Sequence, residues 1–211
     1  SLQKEAEGSY GKCALQLPFV AQKPIPLGIR RQKMNKKELR NIIRERKRQF
    51  SGQQLEELSL LVLDRLRRNI RLQQARSILL YYSLPDEVNT HQFIDELVNQ
   101  GKQVFLPVVV DGENMEIREY TGSKDLRQGS FHIMEPVGRL LPEDEYGKIE
   151  AGIIPGMSFD KSGHRLGRGK GYYDRMLYKM PHLYKIGICF DFQKTETVPT
   201  EATDIKMDAI V

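Results

Sequence analysis

Ala151-Gly-Ile153-Ile154-Pro155-Gly156, then six residues on Gly163-His-Arg165-Leu166-Gly167-Arg168-Gly169-Lys170-Gly171-Tyr172-Tyr173-Asp174-Arg175, is the stretch that decides the fold. The apolar first half reads as a buried strand ending in a turn, and the second half as a Gly-rich loop that opens a helix from Tyr172 to about Met180. Strand, loop and helix start together make an anion site. Glycines 167, 169 and 171 carry no side chain to hold backbone N–H groups away from phosphate oxygens, and a helix N-terminus adds unpaired donors. Arg165, Arg168 and Lys170 place three cations within six residues, more than a structural turn requires.

The spacing excludes two familiar nucleotide loops. In G-x-G-x-x-G the third glycine would fall on Tyr172 or, one register on, on Asp174. In G-x-x-x-x-G-K-[ST] the first position would be His164 and the last Gly171. A solvated basic surface loop is the competing reading, but a flexible linker favours Ser and Gly where this chain has Tyr172, Tyr173 and Asp174.

Working outward, Asn35 to Gln49 reads as an amphipathic helix, with Leu39, Ile42, Ile43 and Phe50 on one face and Lys36, Lys37, Arg40, Arg44 and Arg48 on the other. Lys36 and Arg40, four apart, point the same way and could clasp one polyphosphate. Ser51 and Gln54 form a capping box for a second helix, whose stripe is Leu55, Leu58, Val62, Leu66 and Ile70. Ser77–Tyr82 is a buried strand, and the turn after it carries Asp86 and Glu87 where ligands of open α/β sheets collect. A helix from Asn89 or Thr90 to Asn99 stops at Gly101, and Gln103–Val110 follows as a strand, which implies a parallel crossover. Met115–Tyr120 alternates like a half-exposed antiparallel strand, Tyr184–Phe190 is apolar, and Ala209–Val211 suggests a last short strand. This order implies an α/β class: an open, mostly parallel twisted sheet with helices on both faces, in a Rossmann-like three-layer architecture.

With 211 residues and 39% apolar content the chain can bury one substantial core. Residues 34–211 are expected to form a single domain, behind a leader or upstream extension at 1–33. The net charge is +5, but 33 basic residues are interspersed with 28 acidic ones, not gathered in the stripe a nucleic-acid surface needs. Cys13 and Cys189 offer neither a metal-ligand spacing nor a disulfide framework, which suits a reducing cytoplasm. No apolar run approaches the roughly 18 residues of a membrane span. The expectation is a cytoplasmic monomer acting on a small molecule, with no nucleic-acid or membrane partner.

The glycine run, with Pro155-Gly156 and Phe159-Asp160 before it, resembles the signature of the 5-formyltetrahydrofolate cyclo-ligase family, and further matching pieces extend over about residues 35–210. Gln128-Gly129-Ser-Phe-His132-Ile-Met-Glu135-Pro136 is similar to another family segment, with His132 where the family typically has glycine. The resemblance implies ATP-dependent conversion of 5-formyltetrahydrofolate to 5,10-methenyltetrahydrofolate, with release of ADP and phosphate. It implies ATP contacts from Lys36, Lys37, Arg40 and residues 165–173, including Leu166. It implies folate contacts from Arg40, Tyr82, Glu87, Arg168, Gly169, Lys170, Gly171 and Tyr172, with Glu87 holding the pterin, and catalytic roles for Arg168, Lys170 and Tyr173. Magnesium would sit on Asp174 and Asp204, with Asp208 the second choice for the latter. A carboxylate beside triphosphate is repelled unless a divalent ion lies between them, which is the physical argument for a metal at Asp174. Two rivals stand beside this reading: a related ATP-dependent enzyme acting on another small amide or carboxylate, and a basic nucleic-acid-binding protein using Lys36 to Arg48.

Overall fold

The structure, a computed structural model, describes residues 34–129 and 134–211. The expected leader at 1–33, Cys13 and His132 lie outside the described residues, and Lys33–Val211 clusters as one compact unit.

Among the described residues, five α-helices, α1 (Lys36–Lys47), α2 (Gly52–Arg67), α3 (Ile70–Gln74), α4 (His91–Asn99) and α5 (Tyr172–Tyr178), accompany eleven strands. The strands are β1 (Ser77–Leu79), β2 (Gln103–Val109), β3 (Met115–Tyr120), β4 (Leu126–Gln128), β5 (Met134–Pro136), β6 (Leu140–Leu141), β7 (Ala151–Pro155), β8 (Ser158–Phe159), β9 (Arg165–Leu166), β10 (Tyr184–Ile188) and β11 (Ala209–Ile210). Seven form the main sheet in the order β11-β10-β7-β1-β2-β3-β6. The five from β11 to β2 run parallel, and β3 and β6 pair antiparallel at one edge.

Period-two alternation along the strands decides which side each residue serves. Ile78, Val104, Leu106, Ile153 and Ile186 pack with α2, α3 and α4, whereas Leu79, Phe105, Ile117 and Ile154 pack with Met176 and Leu177 of α5. Two apolar cores, one on each face, give the expected three layers. Helix α1 stands apart from both, its buried Leu39 and Ile43 resting on Met157, Leu166 and Val198.

The capping box expected at Ser51/Gln54 is present, and the structure adds a second at Asn35/Glu38. Some expected boundaries shift. The second helix ends at Arg67 and Asn69 caps a new one, so Ile70 leaves the buried stripe and is 67% exposed. Ile42 is likewise 37% exposed, because α1 buries a narrow seam and not a sheet-covering face. The last helix stops at Tyr178, and β1 is three residues long, although Leu80 and Tyr81 stay buried beyond it.

Candidate active site

A cavity of about 1620 Å³ opens beyond the carboxyl ends of β1, β2 and β7, the position where ligands gather in open parallel sheets. That is larger than the 300–1,000 Å³ usual for one small ligand. Its lining includes all of the expected residues except Leu166, which is buried under α1 in the core.

The glycine run supplies one wall. Gly169 (φ 112°) and Gly171 (φ 71°) occupy the left-handed region that side chains disfavour, so the sharp bend depends on them. No side chain caps the start of α5 at Gly171. Arg40 reaches across from α1 and donates through Nε to the Gly167 carbonyl at 2.8 Å, which ties the bend to the first helix. Lys170 and Lys37 are exposed cations whose ammonium groups have no hydrogen-bonding partner among the described residues.

The arginines of the run divide by role. The Arg165 side chain is buried, donating to Asp174 at 2.7 Å and to the Pro155 carbonyl at 3.3 Å, with its guanidinium 5.5 Å from the Tyr173 ring centre. Its Nε is buried without a hydrogen-bond partner. Asp174 therefore is not the bare carboxylate that the repulsion argument assumed; Arg165 offsets its charge, and Ile205 N–H donates to its other oxygen at 3.1 Å. Arg168 swings the other way. It bridges to Asp86 at 2.7 Å and Glu87 at 2.9 Å in the turn after β1. Burial alone would raise the Asp86 carboxyl, but Arg168 and Lys47 overcome it and hold that group below its ordinary range. Tyr173 is pushed well up by burial and by the Glu87 charge, so its phenol stays protonated. The Tyr172 hydroxyl donates to the Asp111 carbonyl, which leaves that ring, flanked by Arg175, as a packing surface and not a hydroxyl donor to ligand.

The acidic end of the cavity separates Asp204 from Asp208, the second choice. Asp204 lines the cavity, bonded to Lys36 at 2.7 Å and to Glu201 N–H. Asp208 instead accepts from Lys185 N–H at 2.7 Å and pairs with the Lys185 ammonium, anchoring the last strand outside the cavity lining. Among the described residues no three His, Cys, Asp or Glu side chains gather as a metal cage. Asp174 and Asp204 nevertheless suit magnesium: each carboxylate oxygen has one bond and a spare lone pair. Mg²⁺ commonly takes one or two carboxylates and draws its remaining ligands from phosphate and water.

Tyr82 stacks on His91, with ring centres 3.8 Å apart, and presents its other side to the cavity. Sequence reading missed several wall residues. Lys47 lies on the stripe of Lys36 and Arg40, eleven residues from the first, and that spacing was a legible signal. It donates to the Asp86 carboxylate at 3.0 Å and to its carbonyl. Pro107, Val108, Met134 and Glu135 reach the cavity only through the pairing of distant strands, which no local pattern announces.

The chain has relatives in sequence and in fold. A 5-formyltetrahydrofolate cyclo-ligase from Mus musculus is 30% identical over 83% of this chain and 92% of its own length. One from Escherichia coli is 31% identical over 81% and 96%. Among solved structures, the Aquifex aeolicus 5,10-methenyltetrahydrofolate synthetase superposes with a TM-score of 0.72 at 31% identity, covering 84% of this chain and 89% of that one. Residues 32–211 match the sequence model of one family along their whole length, and the chain belongs to the 5-formyltetrahydrofolate cyclo-ligase family.

Proposed function

We propose that this protein converts 5-formyltetrahydrofolate to 5,10-methenyltetrahydrofolate, using ATP with magnesium and releasing ADP and phosphate. The observation that carries the reading is a single cavity that joins a cationic glycine bend to the Asp86–Glu87 turn, bridged by Arg168. Its volume admits both a nucleotide and a pterin.

The formyl oxygen is a poor leaving group until it carries phosphate. Transfer of the γ-phosphoryl to that oxygen gives an iminophosphate, N10 attacks the activated carbon, and phosphate departs. Protein side chains contribute alignment and charge stabilisation to such a transfer. Lys170, Lys37 and Arg40 face the polyphosphate, and the bend's amides add donors. Arg168 leaves the acidic turn to meet the γ-phosphate, which frees Glu87 to accept the two parallel N–H donors of the pterin. Tyr82 packs on the pterin ring, steadied by His91. Asp174 and Asp204 would hold Mg²⁺, whose charge neutralises the phosphates.

The turned-in stripe of Lys36, Arg40 and Lys47 disfavours the nucleic-acid rival, because three of α1's cations are committed to the cavity. No helix of the described residues is long and apolar enough to cross a membrane. A cytoplasmic monomer belongs to the same proposal. Purified protein with ATP, Mg²⁺ and 5-formyltetrahydrofolate is expected to develop the near-ultraviolet absorbance of the methenyl product. A flat trace with intact ATP binding would favour a relative acting on another small amide.

A further inference from the structure

Closing the methenyl bridge requires that N10 lose its proton, and the mechanism above assigns that proton to no residue. Among the described residues, the cavity wall holds five carboxylates, Glu87, Glu135, Asp174, Glu201 and Asp204, and no histidine. Four of them bond to a cation: Glu87 to Arg168, Asp174 to Arg165, and both Glu201 and Asp204 to Lys36. A carboxylate engaged by a cation is the poorer base, because the cation stabilises the charged form. Glu135 is the exception: half-buried on β5, its side chain makes no hydrogen bond or ion pair with the described residues.

Its placement is built. A Cβ at Gly129 would lie 2.3 Å from the Glu135 carboxyl carbon and under 3 Å from both of its oxygens, so the side chain occupies a notch that only glycine leaves open. Gly129 is not among the glycines with positive φ, so the notch, not backbone conformation, explains the residue. Beside Glu135, Met134, Pro136 and Pro107 give the wall an apolar surface suited to a flat ring.

We propose that Glu135 is the base that takes the N10 proton during ring closure, an assignment that rests on the cyclo-ligase reading. The N10 lone pair forms the bond to the formyl carbon, and the N10–H bond breaks as its proton passes to the Glu135 carboxylate. The carbon–oxygen bond breaks with its electron pair leaving on phosphate, and the product keeps one positive charge over N5, the bridging carbon and N10.

Glutamine is the decisive replacement, since its carbonyl accepts a hydrogen bond but cannot take a proton. In Glu135→Gln, kcat is expected to fall about a hundredfold, within the usual range for a lost general base, with KM for ATP and folate within about twofold. Turnover of Glu135→Ala should be partly restored by added formate, a rescue that a structural role would not give. Gly129→Ala, which displaces the carboxylate while leaving Glu135 itself in the chain, should reproduce the loss at an unchanged unfolding midpoint. Full kcat in Glu135→Gln, or a raised folate KM alone, would overturn the assignment while leaving the cyclo-ligase reading intact; a wild-type protein that makes no methenyl product would overturn both.

Discussion

Arg165 and Arg168 lie three residues apart in one glycine run, and each pairs with carboxylates on the cavity wall. Their surroundings differ tenfold in exposure: the Arg165 side chain is 4% accessible and the Arg168 side chain 44%. Arg165 is wedged between Asp174, the Pro155 carbonyl and the Tyr173 ring, and its pairing belongs to the fold. Arg168 crosses to a turn 81 residues away in the chain and can exchange partners when ligand arrives. Identical residue types in one motif thus divide into a strut and a latch, and desolvation decides which is which.

The sharpest way to break this comparison is to remove the strut. Arg165→Ala strips a buried partner from Asp174, and losing one member of such a pair costs about 3–5 kcal/mol. Chemical denaturation should show that loss, with activity falling because less protein is folded. Wild-type stability combined with dead catalysis would make Arg165 a phosphate ligand after all. Lys170→Ala should behave oppositely, keeping its unfolding midpoint while turnover drops about 10²–10³-fold, as expected for a lost charge-stabilising donor. Wild-type turnover there would remove the bend from catalysis.

Arg168→Ala tests the latch. We expect folate binding without nucleotide to be preserved or strengthened, since Glu87 is already released from Arg168, while the enhancement of folate binding by a non-hydrolysable ATP analogue disappears. Calorimetric titration of folate with and without the analogue measures this coupling, expected at about tenfold in a typical allosteric pair; undiminished enhancement in the variant would deny that Arg168 links the two ligands. Asp204→Asn should raise the Mg²⁺ needed for half-maximal activity, and Asp208→Asn should not, because Asp208 holds the Lys185 amide outside the cavity lining. Equal shifts in both would erase the distinction between them.

Much of the fold was legible because its signals are local. A capping box marked the start of α2, apolar periodicity marked α1, Gly101 marked a stop with φ 78°, and alternation marked the strands. The glycine bend and its cations were legible for the same reason, their spacing being short. What escaped depends on distance in the chain. The division between Arg165 and Arg168 needs the burial created by β7, β9 and α5 together, and nothing within three residues encodes it. Ile70 was misplaced because a capping asparagine one residue earlier overrides a persisting apolar period. Glu135 stood in view as part of a motif, but its notch at Gly129 exists only once β4 and β5 are paired.

The gentlest perturbation reaches the far end of the latch. Lys47, 12% exposed, holds Asp86 through both the carboxylate and the backbone carbonyl, so it sets where the turn waits for Arg168. Because Asp86 is 44% exposed, its ion pair contributes on the scale of surface pairs, about 0.5–1 kcal/mol. Its folded-state carboxyl titrates below the ordinary range, so this contribution is complete above the unfolded value near 3.9 and fades as pH falls through the lower folded one. The stability gap between wild type and Lys47→Met should therefore be largest at neutral pH and shrink in strong acid. The part that survives acid reflects the bond to the carbonyl, which does not titrate. In kinetics the same substitution should raise the folate KM a few-fold and leave that for ATP unchanged, since Lys47 touches the acidic turn and not the glycine bend. A gap that stayed constant with pH would mean that the carbonyl alone holds the turn, and Arg168 would then be the sole cation holding the Asp86 carboxylate.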